Sequence, residues 1–310
     1  MPPLKYHEGQ LSIQAEAKTS VVAEKLARWV GPVAEFALGA DIILLAALDA
    51  DGVLRFSALS GAPPLLQVAG DDRLRLRFPA GVTGRLAEGS YGGLVISLAT
   101  ARRARLNGAL TARGDRIELT ASETFTLCRK YMAPSLAVED AFALGPEERT
   151  TIVLDDPWLT GLLERAETSF LASVSPAGSP DVAHRGGPPG FLKLDPVTRA
   201  LSWPEFVGDG VFKSAGNVRA TGKFTLLVPD LESGDGVELV GMAAYTNTRP
   251  ERRLRVDPLV QHREPFPVQG TIEGQVLAAH RLRRVLHPRR RLEKALHITS
   301  CSTVDEQAPQ

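Results

Sequence analysis

A chain of 310 residues is long enough for about two domains and a sizeable core, which excludes a peptide or a disulfide-stapled miniprotein. Lys plus Arg and Asp plus Glu both number 36, so the net charge is zero and no global field draws nucleic acid or an anionic membrane. Any anionic ligand has to be held by local charges.

Behind Lys5 the opening residues carry no apolar stretch, so no secretory leader is expected. The longest apolar run, Ile42 to Leu48, is seven residues, against roughly 20 for a membrane span. Cys128 and Cys301 stand far apart in unrelated contexts, which supplies neither a disulfide framework nor a metal-ligand cluster. The expectation is a soluble, cytoplasmic protein with no metal, membrane or nucleic-acid partner.

In chain order, an amphipathic helix is predicted over Val21 to Leu38, followed by a buried strand, a turn at Asp51-Gly52 and a second strand. The same series returns later. Asp155-Asp156-Pro157 opens a helix over Trp158 to Ala166, and a buried strand then leads to a turn at Ala177-Gly178. Laid on each other at an offset of 126, positions 40–68 and 166–194 share seven identities in 29 pairs, including Gly52 with Gly178 and Pro63 with Pro189. Leu106-Asn107-Gly108 aligns with Leu239-Val240-Gly241 at an offset of 133, so the second copy carries seven additional residues, expected around Trp203 to Asn217. Short β-rich stretches (Gly93 to Leu98, Arg116 to Thr120, Phe224 to Val228, Val237 to Val240) complete each copy. The fold expected is mainly β with flanking helices (α+β), a tandem duplication. The domains expected are a first copy over 1–135, a linker over 136–155, a second copy over 156–250 and a basic extension over 251–310.

Candidate chemistry lies in the second copy. His184-Arg185-Gly186-Gly187-Pro188-Pro189-Gly190 is a cation pair opening into a run through which backbone can approach a ligand. The first copy has Ala58-Leu59-Ser60 where His184-Arg185-Gly186 stands, which favours a ligand role over a bare surface turn. Gly208 to Ser214 ends in Lys-Ser like a phosphate loop but has Phe212 where the preceding glycine belongs, which argues against a nucleotide triphosphatase. Lys213 and Ser214 at the start of a short helix still join an ammonium, a hydroxyl and free backbone donors, a monophosphate site. Cys128 beside Arg129 and Lys130 reads as structural, His7-Glu8 as a strand-edge pair or a lid, and the basic run His280 to Arg291 as a solvated, partly helical tail.

His184 to Phe191, Trp203-Pro204 and Phe212-Lys213-Ser214-Ala215-Gly216-Asn217 together resemble the pyridoxamine 5′-phosphate oxidase-related, FMN-binding split-barrel family. His7-Glu8-Gly9, the Arg-rich stretch Arg102 to Gly108 and Cys128-Arg129-Lys130-Tyr131 are similar to motifs in the amino-terminal half of its longer members. The resemblance runs from about Tyr6 to Ala244 and departs at Asp209, where the family has Asn, at Leu127 and Arg129, and at Ala104. It implies two split β-barrels, a degenerate first copy and an FMN-binding second one, and an FMN-dependent oxidoreductase acting on a small molecule. It implies cofactor contacts from His184, Arg185, Gly186, Gly187, Pro188, Trp203, Lys213, Ser214 and Asn217, with Lys213 and Ser214 on the phosphate and His184 a candidate proton donor. Because family members build the flavin site across a dimer interface, either the two copies pair within the chain or two chains form a homodimer. The rival reading is a non-catalytic flavin or haem binder that stores, carries or senses its ligand.

Overall fold

The structure is a computed structural model that describes residues 4–28, 38–60, 64–70, 72–76, 88–97, 100, 102–113, 116–127, 143–145, 148–206, 208, 210–247 and 268–285. Two helices, α1 (Glu8–Glu16) and α2 (Ser20–Arg28), precede β1 (Ile42–Leu48), β2 (Leu54–Ser60), β3 (Leu66–Val68), β4 (Arg73–Leu76), β5 (Gly89–Ser97), β6 (Arg102–Arg113) and β7 (Arg116–Leu127). After β8 (Ala143–Gly145) and β9 (Glu148–Thr151) come α3 (Pro157–Arg165), β10 (Thr168–Val174), β11 (Pro180–Gly186), β12 (Lys193–Asp195) and β13 (Ala200–Phe206). The chain continues with α4 (Lys213–Thr221), β14 (Lys223–Pro229), β15 (Gly236–Asn247) and β16 (Val268–Arg283).

The duplication is written into the sheet topology. The first sheet runs β3-β4-β7-β6-β5-β1-β2 and the second β12-β13-β16-β15-β14-β10-β11, the same seven-strand order. Registers agree residue by residue. Ile42 opposes Ser60 as Thr168 opposes Gly186, which is the offset of 126. Leu94 faces Leu44 and Arg105 as Leu227 faces Phe170 and Glu238, which is the offset of 133. Each copy also has a β-bulge at the equivalent step, Asn107/Gly108 and Val240/Gly241. A Cβ on either glycine would strike a carbonyl oxygen of the next strand, Thr120 or Gln275, so the close approach admits only glycine.

Local signals act as expected. Gly52 and Gly178 take positive φ (75° and 80°) at the hairpin tips, and Asp156 caps α3 by accepting from the Trp158 amide at 2.8 Å with Pro157 behind it. The helix expected over Val21 to Leu38 coincides with α2 as far as Arg28, and residues 29–37 lie outside the described residues. So do Gly81 to Arg85, Cys128 to Tyr131, Asp209 and Cys301.

Two expectations need correction. The stretch beyond 250 is not only an extension: β16 pairs along its length with β15 and β13 and completes the second sheet. The basic run therefore begins as strand, and Arg281 and Arg283 reach Asp235 at 3.2 and 2.7 Å. The expected linker contains two strands, β8 on β2 and β9 on β16.

Among the described residues the three largest apolar cores follow from these sheets, beside a small cluster of Leu4, Phe125 and Val211. Ile43, Leu45, Val95, Leu106 and Ile117 fill the first barrel, and Leu171, Trp203, Phe224, Leu239 and Ile272 the second. The third core joins the copies, with Ile42, Leu44, Phe56 and Leu94 packed on Phe170, Ala172, Val182 and Leu227. Alternate residues of β1 serve two different cores, which is why the strand reads as an unbroken apolar run. At about 1.5–3 kcal/mol for each large apolar side chain buried, this third core binds the copies into one body. Among the described residues no helix is long and apolar enough to cross a membrane.

Candidate functional site

The interface between copies opens into a cleft walled by β6 and β7 of the first copy and by β11, β13 and the start of α4 of the second. On β6 the pleat sends Ala104 and Leu106 into the first barrel and Arg103 and Arg105 toward the second copy. Arg105 donates through Nη1 to the Val182 carbonyl and lies with Nε 3.1 Å from Asp181 Oδ1. Arg103 Nη1 meets His184 Nδ1.

That contact fixes the histidine's chemistry. A guanidinium only donates, so Nδ1 must accept and the ring proton sits on Nε2. Burial, then the charges of Arg103, Arg185 and Arg105, push the His184 pKa well below its ordinary value, so the ring is neutral at pH 7. It stands edge-on to Phe170, with centroids 5.6 Å apart. Its Nε2 is buried without a hydrogen-bond partner.

The other cations are matched by carboxylates. Arg185 Nε lies 2.5 Å from Glu205 Oε1, an oxygen that also accepts from Trp203 Nε1 at 3.1 Å. Lys213 Nζ is 2.7 Å from Glu123 Oε2. Asn107, its amide oriented by the Gly93 N–H at 3.0 Å, donates to both Glu123 (3.0 Å) and Asp181 (3.1 Å), and Ser214 Oγ donates to Asp181 Oδ2 at 2.6 Å. Burial would raise the Asp181 pKa, but Arg105, Lys213 and the bonds from Ser214 and Asn107 outweigh it and hold the carboxyl below its ordinary value. The result is a buried wall of alternating charge across the cleft, with about 100 Å³ free on the His184 side.

The expected contact residues are placed as follows. His184, Arg185, Gly186, Lys213 and Ser214 line this cleft. The left-handed Phe212 (φ 51°) turns the chain into α4 so that Lys213 and Ser214 occupy its first turn. Gly187 packs under Phe191 and Phe206, whose rings leave no room for a Cβ, while Pro188 is exposed in the turn beyond. Trp203 is inside the second core against Phe224 and reaches the cleft only through Glu205.

Asn217 lies one turn on from Lys213 and ties α1 to α4. Gln10 accepts from the His7 N–H (3.2 Å) and donates to the Lys213 carbonyl (3.2 Å), which orients its amide and makes Asn217 Oδ1 the acceptor of its other bond, 3.0 Å. His7 Nε2, 2.8 Å from the same oxygen, is therefore a donor.

The sequence placed Arg103 and Arg105 in an Arg-rich motif but gave no site role to them or to Glu123, Asp181 or Glu205. The alternation Arg103-Ala104-Arg105 was the available signal, since two cations two residues apart share one face of a strand. The internal symmetry supplies a further observation. Arg55 and Glu238 are the equivalents of Asp181 and Arg105, and they also pair across the copies, with the charges exchanged: Glu238 lies 3.5 Å from Arg55 and accepts from the Phe56 amide at 2.8 Å. Arg149 closes that corner with bonds of 2.9 and 3.1 Å to the same carboxylate. Among the described residues no group of three His, Cys, Asp or Glu side chains is arranged to hold a metal.

No known family profile matches the chain, and no curated protein does. Among solved structures it is similar to a point variant of HupZ of Group A Streptococcus (18% identity, 42% of this chain and 100% of that one, TM-score 0.30). It is also similar to a putative pyridoxamine 5′-phosphate oxidase from Lactobacillus delbrueckii (19% identity, 40% and 90%, TM-score 0.29). A third is HutZ, the haem storage protein from Vibrio cholerae (11% identity, 39% and 89%, TM-score 0.26).

Proposed function

We propose that the chain binds one flavin mononucleotide in the cleft between its two copies and acts as an oxidoreductase on a small molecule. The reading is carried by the convergence of a neutral His184, whose Nε2–H has no partner, with Arg103, Arg105, Arg185 and Lys213 around one cleft. This donor set fits an oxygen-rich, phosphorylated heterocycle: a buried N–H without an acceptor complements a ring carbonyl or ring nitrogen, and the first turn of α4 suits a phosphate. Bound there, the isoalloxazine would supply the redox chemistry.

The protein's own residues have three tasks in this reading. Lys213 and the α4 amino terminus hold the phosphate. His184, uncharged, donates a hydrogen bond without adding a proton-transfer burden at neutral pH. Arg105 and Asp181, bound to each other, keep the strands of the two copies in register beneath the ligand. Small-molecule pockets usually exceed roughly 300 Å³. Entry therefore opens the more exposed ion pair of the cleft, Lys213–Glu123, whose carboxylate side chain is 25% exposed, rather than Arg185–Glu205, whose carboxylate is 7% exposed.

A resident haem is disfavoured at His184. Iron would need the lone pair of Nε2, and the Arg103 donor on Nδ1 keeps the proton on Nε2.

Titration of the purified chain with FMN, read by absorbance and fluorescence, is expected to saturate. Lys213→Ala should weaken binding about 10- to 100-fold, the loss of one charge-assisted contact. Absence of saturable flavin binding, or a Soret band on haem addition with His184 as ligand, would overturn the reading.

A further inference from the structure

The turn that delivers Lys213 and Ser214 to the His184 cleft is held by residues of the other copy. α1 and α4 cross in backbone contact: a Cβ on Gly9 would lie 2.6 Å from the Gly216 carbonyl oxygen, and one on Gly216 would lie 2.6 Å from Gln10 Cα. Around this crossing, three side chains of the first copy reach carbonyls at the start of α4. Thr19 Oγ1 donates to the Gly210 carbonyl at 2.8 Å, Gln14 Nε2 to that of Val211 at 2.8 Å and Gln10 Nε2 to that of Lys213 at 3.2 Å. Both glutamines are buried. The Val211 side chain is gripped as well, packed against Leu4 and Phe125. Among the described residues no helix precedes α3 as α1 precedes α2, so the grip is an addition to the repeated fold.

The turn does not hold its shape unaided. Gly210 (φ 79°) and Phe212 (φ 51°) are both left-handed, and a residue with a side chain keeps that conformation only where its surroundings impose it. Phe212 supplies no side-chain cap to α4. In a trans peptide the C=O and the next N–H point opposite ways. Fixing the Gly210 and Val211 carbonyls on Thr19 and Gln14 therefore turns the amides of Val211 and Phe212 away from those side chains. Residues 210–214 line the cleft and α1 does not, so the grip comes from behind. We infer that Gln10, Gln14 and Thr19 are positioning residues: the first copy sets the turn through which the second copy presents Lys213 and the α4 amino terminus to an anion. The inference rests on the reading of that helix start as the FMN phosphate site. Linkage makes the coupling mutual, so a phosphate bound there tightens α1 on α4 by the same factor. α1 thereby registers the occupancy of a cleft that it does not line.

The test titrates the full chain with FMN and follows amide hydrogen exchange of residues 210–217 and of α1 by mass spectrometry, with and without the ligand. Gln14→Leu nearly keeps the buried volume and removes the donor, and should weaken FMN binding roughly fivefold, the worth of one buried hydrogen bond. Thr19→Val should weaken it roughly threefold, while Thr19→Ser, which keeps the hydroxyl, should stay within about twofold of the wild type. In the free protein, Gln14→Leu should speed exchange over residues 210–217 about tenfold and leave β14 and β15 unchanged, which separates a released turn from a loosened fold. Saturating FMN should slow exchange in α1 of the wild type, and less so in Gln14→Leu. If Gln14→Leu loosens the sheets too, the pair of variants at the partly exposed Thr19 decides. FMN binding by Gln14→Leu and Thr19→Val equal to that of the wild type would overturn the inference and leave the flavin reading standing. A wild type that binds no FMN would remove the flavin reading alone: faster exchange of the turn in Gln14→Leu would still support the grip, and unchanged exchange would overturn it.

Discussion

Glu123→Gln is the sharpest test of how the cleft works. Lys213 and Glu123 are 2.7 Å apart, with side chains 10% and 25% exposed, so the pair is neither fully solvated nor fully buried. At an effective dielectric near 20, contact charges attract by roughly 4 kcal/mol, but desolvation and side-chain ordering reduce measured partly exposed pairs to roughly 1 kcal/mol. If an incoming phosphate must take Lys213 from Glu123, neutralising the competitor should return about that amount, so FMN should bind roughly 3- to 10-fold more tightly to Glu123→Gln. Glutamine keeps the acceptor for Asn107, so the wall itself is retained. The assay is flavin fluorescence titration at low and at moderate salt; the gain should shrink with salt because the competing pair is screened. Unchanged or weaker binding by Glu123→Gln would show that the phosphate does not displace the carboxylate, and the assignment of Lys213 would fall with it.

Three further outcomes are expected. His184 has its folded pKa below the unfolded value, so the unfolded chain takes up more protons as pH drops below about 6.5; between pH 7.5 and 5.5 the wild type should lose about 1.4 kcal/mol of stability that His184→Gln retains, measured by urea unfolding at both pH values. Arg105→Glu should cost about 3–5 kcal/mol by leaving Asp181 buried against a like charge. Adding Asp181→Arg should recover much of that loss, because the pair then has the polarity that Glu238 and Arg55 already use; a double variant no more stable than the single would refute the symmetry argument. Flavin stoichiometry should be one per chain, since the equivalent corner is filled by Glu238, Arg55 and Arg149, and a value of two by equilibrium dialysis would contradict this.

What the sequence determined by itself was local or periodic. Equal turns at Gly52 and Gly178, the cap at Asp156 and the offset of 126 are set by short-range sterics and by alternation within a strand, and these sufficed for the duplicated β-fold. His184, Arg185, Lys213 and Ser214 were legible as one site because a cation pair and a Lys-Ser helix start are unusual where they stand. The cleft's other wall was not legible. Arg103 and Arg105 meet His184 and Val182 across 81 and 77 residues, through packing of the two sheets that no local pattern encodes. Tertiary structure likewise took Trp203 into the core, because an indole with one donor is satisfied by Glu205 two residues away while its ring fills the second barrel. It also made a strand of the chain after 267, where the ladder hydrogen bonds of β15 and β13 outweigh an Arg-rich composition that reads as solvated. Charge signs at the two symmetry-related corners were visible as letters, but only their burial against each other decided that one corner is closed and the other remains a cleft.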